Sequence, residues 1–212
     1  MVRRTKQAAQ ATREHLLDTA EQVFLARGLS RSSLQDIAAA AGLTRGAIYW
    51  HFADKLALFD AMVARVHLPL EQALAEAEAG AADGGAAPLA ALRTVALAPF
   101  TLMQRQPQVR RVFTILLHRA EFVGDLAPLA GRQHESLRAF ALRLARLFEA
   151  ARADGSLAAG VEPNQAAVAL LALIDGLMRL CTQGDCSETL MGAVPPAVDA
   201  LLAGLRAAPA AA

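Results

Sequence analysis

Cysteine is nearly absent: Cys181 and Cys186 are the only two among 212 residues. Two thiols cannot make a structural zinc site, which takes about four ligands, and so small a number suits a reducing compartment. We read them as free thiols, with a redox pair as the alternative. Long uncharged runs are missing too. The longest stretch without Asp, Glu, Lys or Arg is Pro163 to Ile174, 12 residues, whereas a helix that crosses a bilayer needs ~20. A leader is not expected either, because Glu14, Asp18 and Glu21 come soon after the basic start and no apolar segment appears. These features predict a soluble, cytoplasmic chain. His67, His118 and His134 are scattered without ligand spacing, so neither a metal nor a cofactor is implied. Nucleophile elbow, phosphate loop, HExxH and CxxC are all absent, which leaves no enzyme class supported.

Charge imbalance is also slight, a net +1 over the whole chain. Its distribution says more. Residues 1–60 hold eight Lys/Arg against six Asp/Glu, and Arg3, Arg4, Lys6 and Arg13 all precede the first acid. Such a start is either a basic arm suited to phosphates or a solvated terminus.

What the chain has in quantity is apolar residues, 55% with a mean hydropathy of +0.31, enough to bury a substantial core. Their spacing is helical almost throughout, with no sustained strand alternation and no repeat of fixed period. Thr12 to Arg27 carries Leu16, Ala20, Val23 and Phe24 as one stripe, and Gly28 follows as a helix terminator. Ser33 and Asp36 form a capping-box-like start to a short helix that ends near Ala41-Gly42. Thr44 caps another that reaches about Phe52, and Asp54 caps a longer one from Lys55. Residues 80–88 read as a loop. Further helices are expected over Leu89–Gln104, Pro107–Phe122, Leu126–Ala153, Pro163–Thr182 and from about Pro195 to Arg206. The prediction is an all-α chain of about nine helices: three short ones in residues 1–54 and a larger bundle in 55–212.

Two short helices meeting at Ala41-Gly42-Leu43 have the layout of a helix-turn-helix. Ile37, Ala38, Ala41, Leu43, Ile48 and Phe52 are assigned to its small core, which leaves Arg45, Gly46, Tyr49 and Trp50 outward. Each suits a DNA surface. Ser33 and Thr44 sit at helix starts, where backbone amides can meet a phosphate. Arg45 is forked and cationic, matched to guanine O6 and N7. Gly46 lets the backbone approach closely. Tyr49 and His51 can donate to phosphate oxygens, and Lys55 adds a phosphate contact.

The stretch Ser33-Leu-Gln-Asp-Ile-Ala-Ala-Ala-Ala-Gly-Leu-Thr-Arg-Gly-Ala-Ile-Tyr-Trp-His-Phe-Ala-Asp-Lys55 resembles the signature of TetR-family transcriptional regulators. Thr44 to Phe52, together with the Met-Val-Arg-Arg-Thr-Lys start, is similar to the multidrug-efflux repressor branch, AcrR- and TtgR-like. The strong resemblance covers residues 1–60; Arg110-Arg111, His118 to Phe122 and Asp175 to Leu177 resemble the branch more weakly.

That resemblance implies a ligand-responsive repressor that binds a pseudo-palindromic operator as a homodimer, with recognition helices ~34–36 Å apart. It implies control of a drug-efflux operon and release by lipophilic or aromatic molecules. The dimer seam is expected on Gln165–Met178 and Pro196–Leu205, through Ala166, Ala167, Leu170, Leu177, Val198, Leu201, Leu202 and Leu205. The ligand cavity is expected to be lined by His67, Leu70, Leu92, Val95, Ala96, Pro99, Phe113, Leu117, Leu137, Phe140, Ala141, Leu144, Ile174, Asp175 and Met178, most of which would look the same as plain core. Asp175 interrupts an apolar run: it either orients a polar ligand group, or it pairs with Arg179 one turn on or bonds across the dimer. The rival reading is a TetR-like DNA-binding protein that controls other genes or organises DNA without an inducer.

Overall fold

The computed structural model describes residues 2–184 and 187–208, with the side chains of residues 2–5 and 125 left aside. Helices carry it, and among the described residues there is no strand, only an isolated antiparallel bridge between Leu157 and Arg206. The order is α1 (Val2–Arg27), α2 (Leu34–Ala40), α3 (Arg45–His51), α4 (Lys55–Ala82), α5 (Pro88–Arg105), α6 (Pro107–Thr114), α7 (Ala127–Ala153), α8 (Pro163–Thr182) and α9 (Glu188–Leu205). A π-helical turn, Ile115–Arg119, continues α6, and a 3-10 turn, Gly124–Leu126, precedes α7.

The punctuation is local chemistry. Gly28 and Gly42 follow α1 and α2 with φ of +85° and +68°, a region that favours glycine. Ser33 and Asp36 make a reciprocal capping box: the Asp36 amide donates to Ser33 Oγ at 3.1 Å, and the Ser33 amide donates to Asp36 Oδ2 at 2.9 Å. Hydrogen bonds from the Ser33 hydroxyl and amide, with Arg27 nearby, hold the Asp36 carboxyl below its ordinary range. Asp54 Oδ1 accepts from the Ala57 amide at 2.7 Å and so caps α4. Pro88 and Pro163 each open a helix, where a missing N–H leaves nothing unsatisfied.

Two expectations need correction. The last helix begins at Glu188, not near Pro195, because Ser187 Oγ accepts from the Leu190 amide at 3.1 Å. Pro195 and Pro196 therefore lie inside it, and the carbonyls of Met191 and Gly192 lose the amide donors that an i→i+4 ladder supplies. α6 does not stay α-helical to Phe122: it widens into the π-turn and stops at Arg119.

The chain forms two compact units. One comprises residues up to His67 with Gln108–Leu129; the other comprises Leu68–Pro107 with the chain from Ala130 onward. A boundary after Asp54 sets α1–α3 apart, but only α2 and α3 are short, since α1 runs 26 residues; compactness adds the start of α4 and the end of α6 to the three. The first unit buries Leu16, Leu17, Phe24, Ile37, Ile48, Leu58, Met62 and Val112. The second buries Leu92, Phe100, Leu144, Phe148, Leu170 and Val198. Within it, the Ala158 amide donates to Leu205 O and the Ala207 amide to Ser156 O, both at 2.9 Å, which ties the end of α9 to the α7–α8 connection.

By length and composition α8 could cross a membrane. Its apolarity divides between two stripes: Ala166, Ala167, Leu170, Ile174 and Met178 are buried, and Val168, Ala169, Ala172 and Gly176 are exposed.

Candidate nucleic-acid interface

α2 and α3 are joined by Ala41–Thr44, a turn closed by the Leu43 amide donating to Ala38 O at 2.9 Å. Thr44 caps α3, its Oγ1 accepting from the Ala47 amide at 3.2 Å. Ile48 and Phe52 point inward and are buried with Leu34, Ile37 and Ala38. The opposite face is open. Arg45 and Gly46 are exposed, as are Tyr49 at 44% and Trp50 at 72%. Burial of large apolar side chains is the strong driving force in folding, so an indole that exposed has no folding reason to be there.

The exposed side chains support one another. The Arg45 guanidinium lies over the Tyr49 ring at 5.4 Å, a cation–π contact that narrows its rotamers. The His51 ring stands edge-on to Trp50, centroids 4.6 Å apart at 89°. Partial burial, with Arg13 nearby, lowers the His51 pKa. Gly46 is informative by default. A Cβ there would meet only Thr44 Oγ1, at 3.9 Å, so the protein's own packing does not require glycine in a helix where it costs about 1 kcal/mol relative to alanine.

Of the residues expected at DNA, Thr44, Arg45, Gly46, Tyr49, Trp50 and His51 lie together on or beside this face, and Ser33 is exposed while engaged in its capping box. The side chains of Arg3 and Arg4 lie outside the described residues. Lys55 is a correction. Its ammonium donates to Leu29 O, Ser30 O and Ser32 O at 2.9, 3.3 and 2.8 Å, which uses its three protons. It clasps the α1–α2 connection instead of pointing into solvent. Two residues of α1 that sequence patterns do not single out as supports also brace the motif. Arg13 sits over the Phe52 ring at 5.1 Å, and His15 Nε2 lies 3.1 Å from Ala41 O at the end of α2.

The pattern of bacterial regulatory proteins of the tetR family matches residues 16–62, and that of the C-terminal region of MAATS-type transcriptional repressors matches residues 87–206. The chain belongs to the TetR family. Over 99% of both chains it is 36% identical to the HTH-type transcriptional regulator TtgR of Pseudomonas putida. It is 35% identical to the repressor BepR of Brucella suis biovar 1 over 97% of both. Among solved structures it is similar to NalD, the secondary repressor of the MexAB-OprM multidrug efflux pump of Pseudomonas aeruginosa (TM-score 0.81, 32% identity, 94% of this chain and 98% of that one). It is also similar to SmeT of Stenotrophomonas maltophilia in complex with triclosan (TM-score 0.79, 32% identity, 94% and 93%). The family implied by Ser33–Lys55 is therefore the family found.

In this TetR-family chain the expected seam residues are only partly available. Ala166, Ala167, Leu170, Val198 and Leu202 are buried within their own unit; Leu177, Leu201 and Leu205 are half-buried. The expectation chose a buried stripe of α8 because both of its stripes are apolar and periodicity alone cannot rank them. The exposed stripes are Val168, Ala169, Ala172, Gly176 and Leu180 on α8, and Gly192, Ala193, Pro196, Ala200 and Gly204 on α9.

The expected cavity residues do not share one environment. Leu92, Val95, Ala96, Pro99, Leu144, Ile174 and Met178 are buried in the second unit and Phe113 in the first. Leu70, Leu117, Phe140 and Ala141 are half-buried, and His67 and Leu137 are exposed. Asp175 Oδ2 accepts from Arg179 Nε at 2.8 Å on a partly exposed face. A crevice between α5 and α9, lined by Leu97, Phe100, Thr101, Gln104, Met191, Val194 and Pro195, has a volume of about 60 Å³. Drug-sized sites run to ~300–1,000 Å³, and none of the expected residues lines this one. Cys181 is buried; Cys186 lies outside the described residues.

Proposed function

We propose that this chain is a ligand-responsive repressor of a multidrug efflux operon, acting in the cytoplasm as a homodimer on a pseudo-palindromic duplex. The observation that carries the reading is the Arg45–Gly46–Tyr49–Trp50 face, exposed, pre-arranged by stacking and unneeded by the fold. Residues 1–54 serve DNA and residues 55–212 serve the inducer and the second copy. Arg45 reads bases, while Thr44, Tyr49 and His51 hold phosphates. The exposed stripes of α8 and α9 make the seam; their alanines and glycines allow close helix approach, and a four-helix interface is the simplest way to cover them.

Release by an inducer requires that it prefer the conformation that does not fit the operator; equal affinity for both does nothing. The relatives' names and the triclosan complex of SmeT support a lipophilic or aromatic inducer. The rival, a regulator without an inducer, draws support from the solid packing of Leu92, Ala96 and Leu144. The test is fluorescence anisotropy on the DNA upstream of the chain's own gene, with and without triclosan, beside thermal melting. Saturable binding that triclosan weakens supports the proposal. Binding that no lipophilic compound alters, without a ligand-dependent melting shift, supports the rival.

A further inference from the structure

α6 and the turn that continues it hold α1 and the connection after α1 at two points eight residues apart. At the first, the Glu21 carboxylate is fully buried, and three side chains from two helices converge on it. Arg65 Nη1 of α4 and Gln108 Nε2 of α6 donate to its Oε1 at 3.0 and 2.9 Å, and Arg111 Nε of α6 donates to its Oε2 at 3.1 Å. Arg65 also reaches Glu14 and Asp18. At the second point the π-turn delivers the Arg119 carbonyl to the Leu29 amide at 2.9 Å, and Glu121 Oε2 accepts from Ser30 Oγ at 3.0 Å. Leu29 is fully buried, and Leu29, Ser30 and Ser32 are the residues whose carbonyls Lys55 holds. Ser33, the cap of α2, comes next.

Buried ion pairs are poor stabilisers compared with apolar side chains of the same size; their best-attested use is to fix register. Glu21 and Arg111 do this geometrically. Glu21 precedes Leu29 by eight residues, from α1 into the connection that follows it, and Arg111 precedes Arg119 by eight, from α6 to the end of its π-turn, so a slip at one contact is a slip at the other. π-turns within helices occur often at functional sites, and this one ends at the carbonyl that makes the second contact.

We propose that Arg111 is a positioning residue for operator binding: clamped on Glu21, it sets α6 in register so that the π-turn holds the Gly28–Ser32 connection from which α2 and α3 take their place. Arg111 itself touches no DNA; it acts through Glu21 and the Arg119–Leu29 bond. The inference rests on the DNA-binding reading, and its first measurement needs no DNA.

The test compares the full-length wild type, Arg111→Gln and Arg111→Lys. Amide hydrogen exchange is read at Leu29 and, as a reference in the second unit, at Leu170. Affinity is then read on the duplex the wild type binds, between 50 and 200 mM salt. In Arg111→Gln the Leu29 amide exchanges about tenfold faster while Leu170 does not change, and affinity falls about tenfold with the same salt slope. Arg111→Lys, which keeps the charge, recovers most of both. Three results overturn the proposal: an unchanged Leu29 amide in a folded Arg111→Gln, faster exchange at Leu29 and Leu170 alike, and faster exchange at Leu29 with undiminished affinity. If Arg111→Gln does not fold, Glu21→Gln, which keeps the shape of the buried group, is measured by the same criteria. A wild type that binds no DNA defeats the functional reading, and the Leu29 result still judges the clamp.

Discussion

Replacing Lys55 by alanine separates two roles that a lysine at this point of the motif can play. As a phosphate ligand it would release about one counterion per subunit, so its loss would lower the slope of log affinity against log salt by ~0.9 per subunit, with little effect on the free protein. The structure instead spends its three donors on Leu29 O, Ser30 O and Ser32 O. Leu29 and Ser32 are buried and Ser30 is half-buried, so water replaces the lost bonds only in part. Hydrogen bonds to charged groups contribute ~1.5–3 kcal/mol in favourable cases. Discounting for the access at Ser30 and for the 3.3 Å bond, the expected destabilisation is about 2–3 kcal/mol in urea unfolding. Lys55→Met, which keeps most of the stem, should lose nearly as much. Affinity for a random-sequence duplex and for a preferred one should fall by similar factors at every salt concentration, leaving both slopes where they were. A slope lower by ~0.9 per subunit, with stability intact, would refute the clasp and restore the phosphate contact.

Gly46→Ala should stabilise the protein by about 0.5–1 kcal/mol, since its Cβ enters open space on a helix, and yet weaken DNA binding; a variant both more stable and equally tight would remove Gly46 from the interface. His51 should give stability a pH dependence of defined sign. Its folded pKa is depressed, so below its ordinary value the unfolded chain binds more protons, and stability is lost as pH falls from ~6.5 through the folded value. Urea midpoints between pH 5 and 8 should show that slope, and His51→Gln should flatten it. Leu170→Ala, in the buried stripe of α8, should cost ~2–5 kcal/mol of stability. Val168→Asp, in the exposed stripe, should leave the folded subunit intact and shift sedimentation from dimer towards monomer; a dimer insensitive to Val168→Asp would move the seam elsewhere.

Local chemistry made much of this legible in the sequence. Ser33, Gly42, Thr44 and Asp54 act on residues within four positions, so the bounds of α2 and α3 and the start of α4 follow from their identities. The outward face of α3 was legible for the same reason: seven residues with Ile48 inside leave few alternatives. What failed was tertiary. Lys55 donates to carbonyls 23–26 residues away, and no spacing rule distinguishes that from a lysine facing solvent. α8 has two apolar stripes, and which one is buried is decided by α5 and α9, not by α8. Asp175 had a partner four residues on in plain view, and the pairing occurred. The start of α9 was misplaced because a Pro-Pro pair reads as a helix beginning, whereas Ser187 had already supplied a better cap.

The first unit uses its cations mainly on itself. Arg13 covers Phe52, Arg27 pairs with Asp36 at 3.3 Å, Lys55 clasps the α1–α2 connection, and Arg65 and Arg111 surround Glu21. Among the described residues of 1–60, Arg13, Arg27 and Lys55 are therefore engaged within the unit. On the recognition face Arg45 is exposed, beside His51 and two exposed aromatic rings. Such a surface gains less from counterion release than a lysine-rich one and more from fit, so its ability to discriminate between sequences depends on how accurately α3 is held. In the proposed clamp the ion pairs of Glu21 with Arg65 and Arg111 hold it. On that proposal, the accuracy of DNA reading is set from α1, α4 and α6, by residues behind the recognition face.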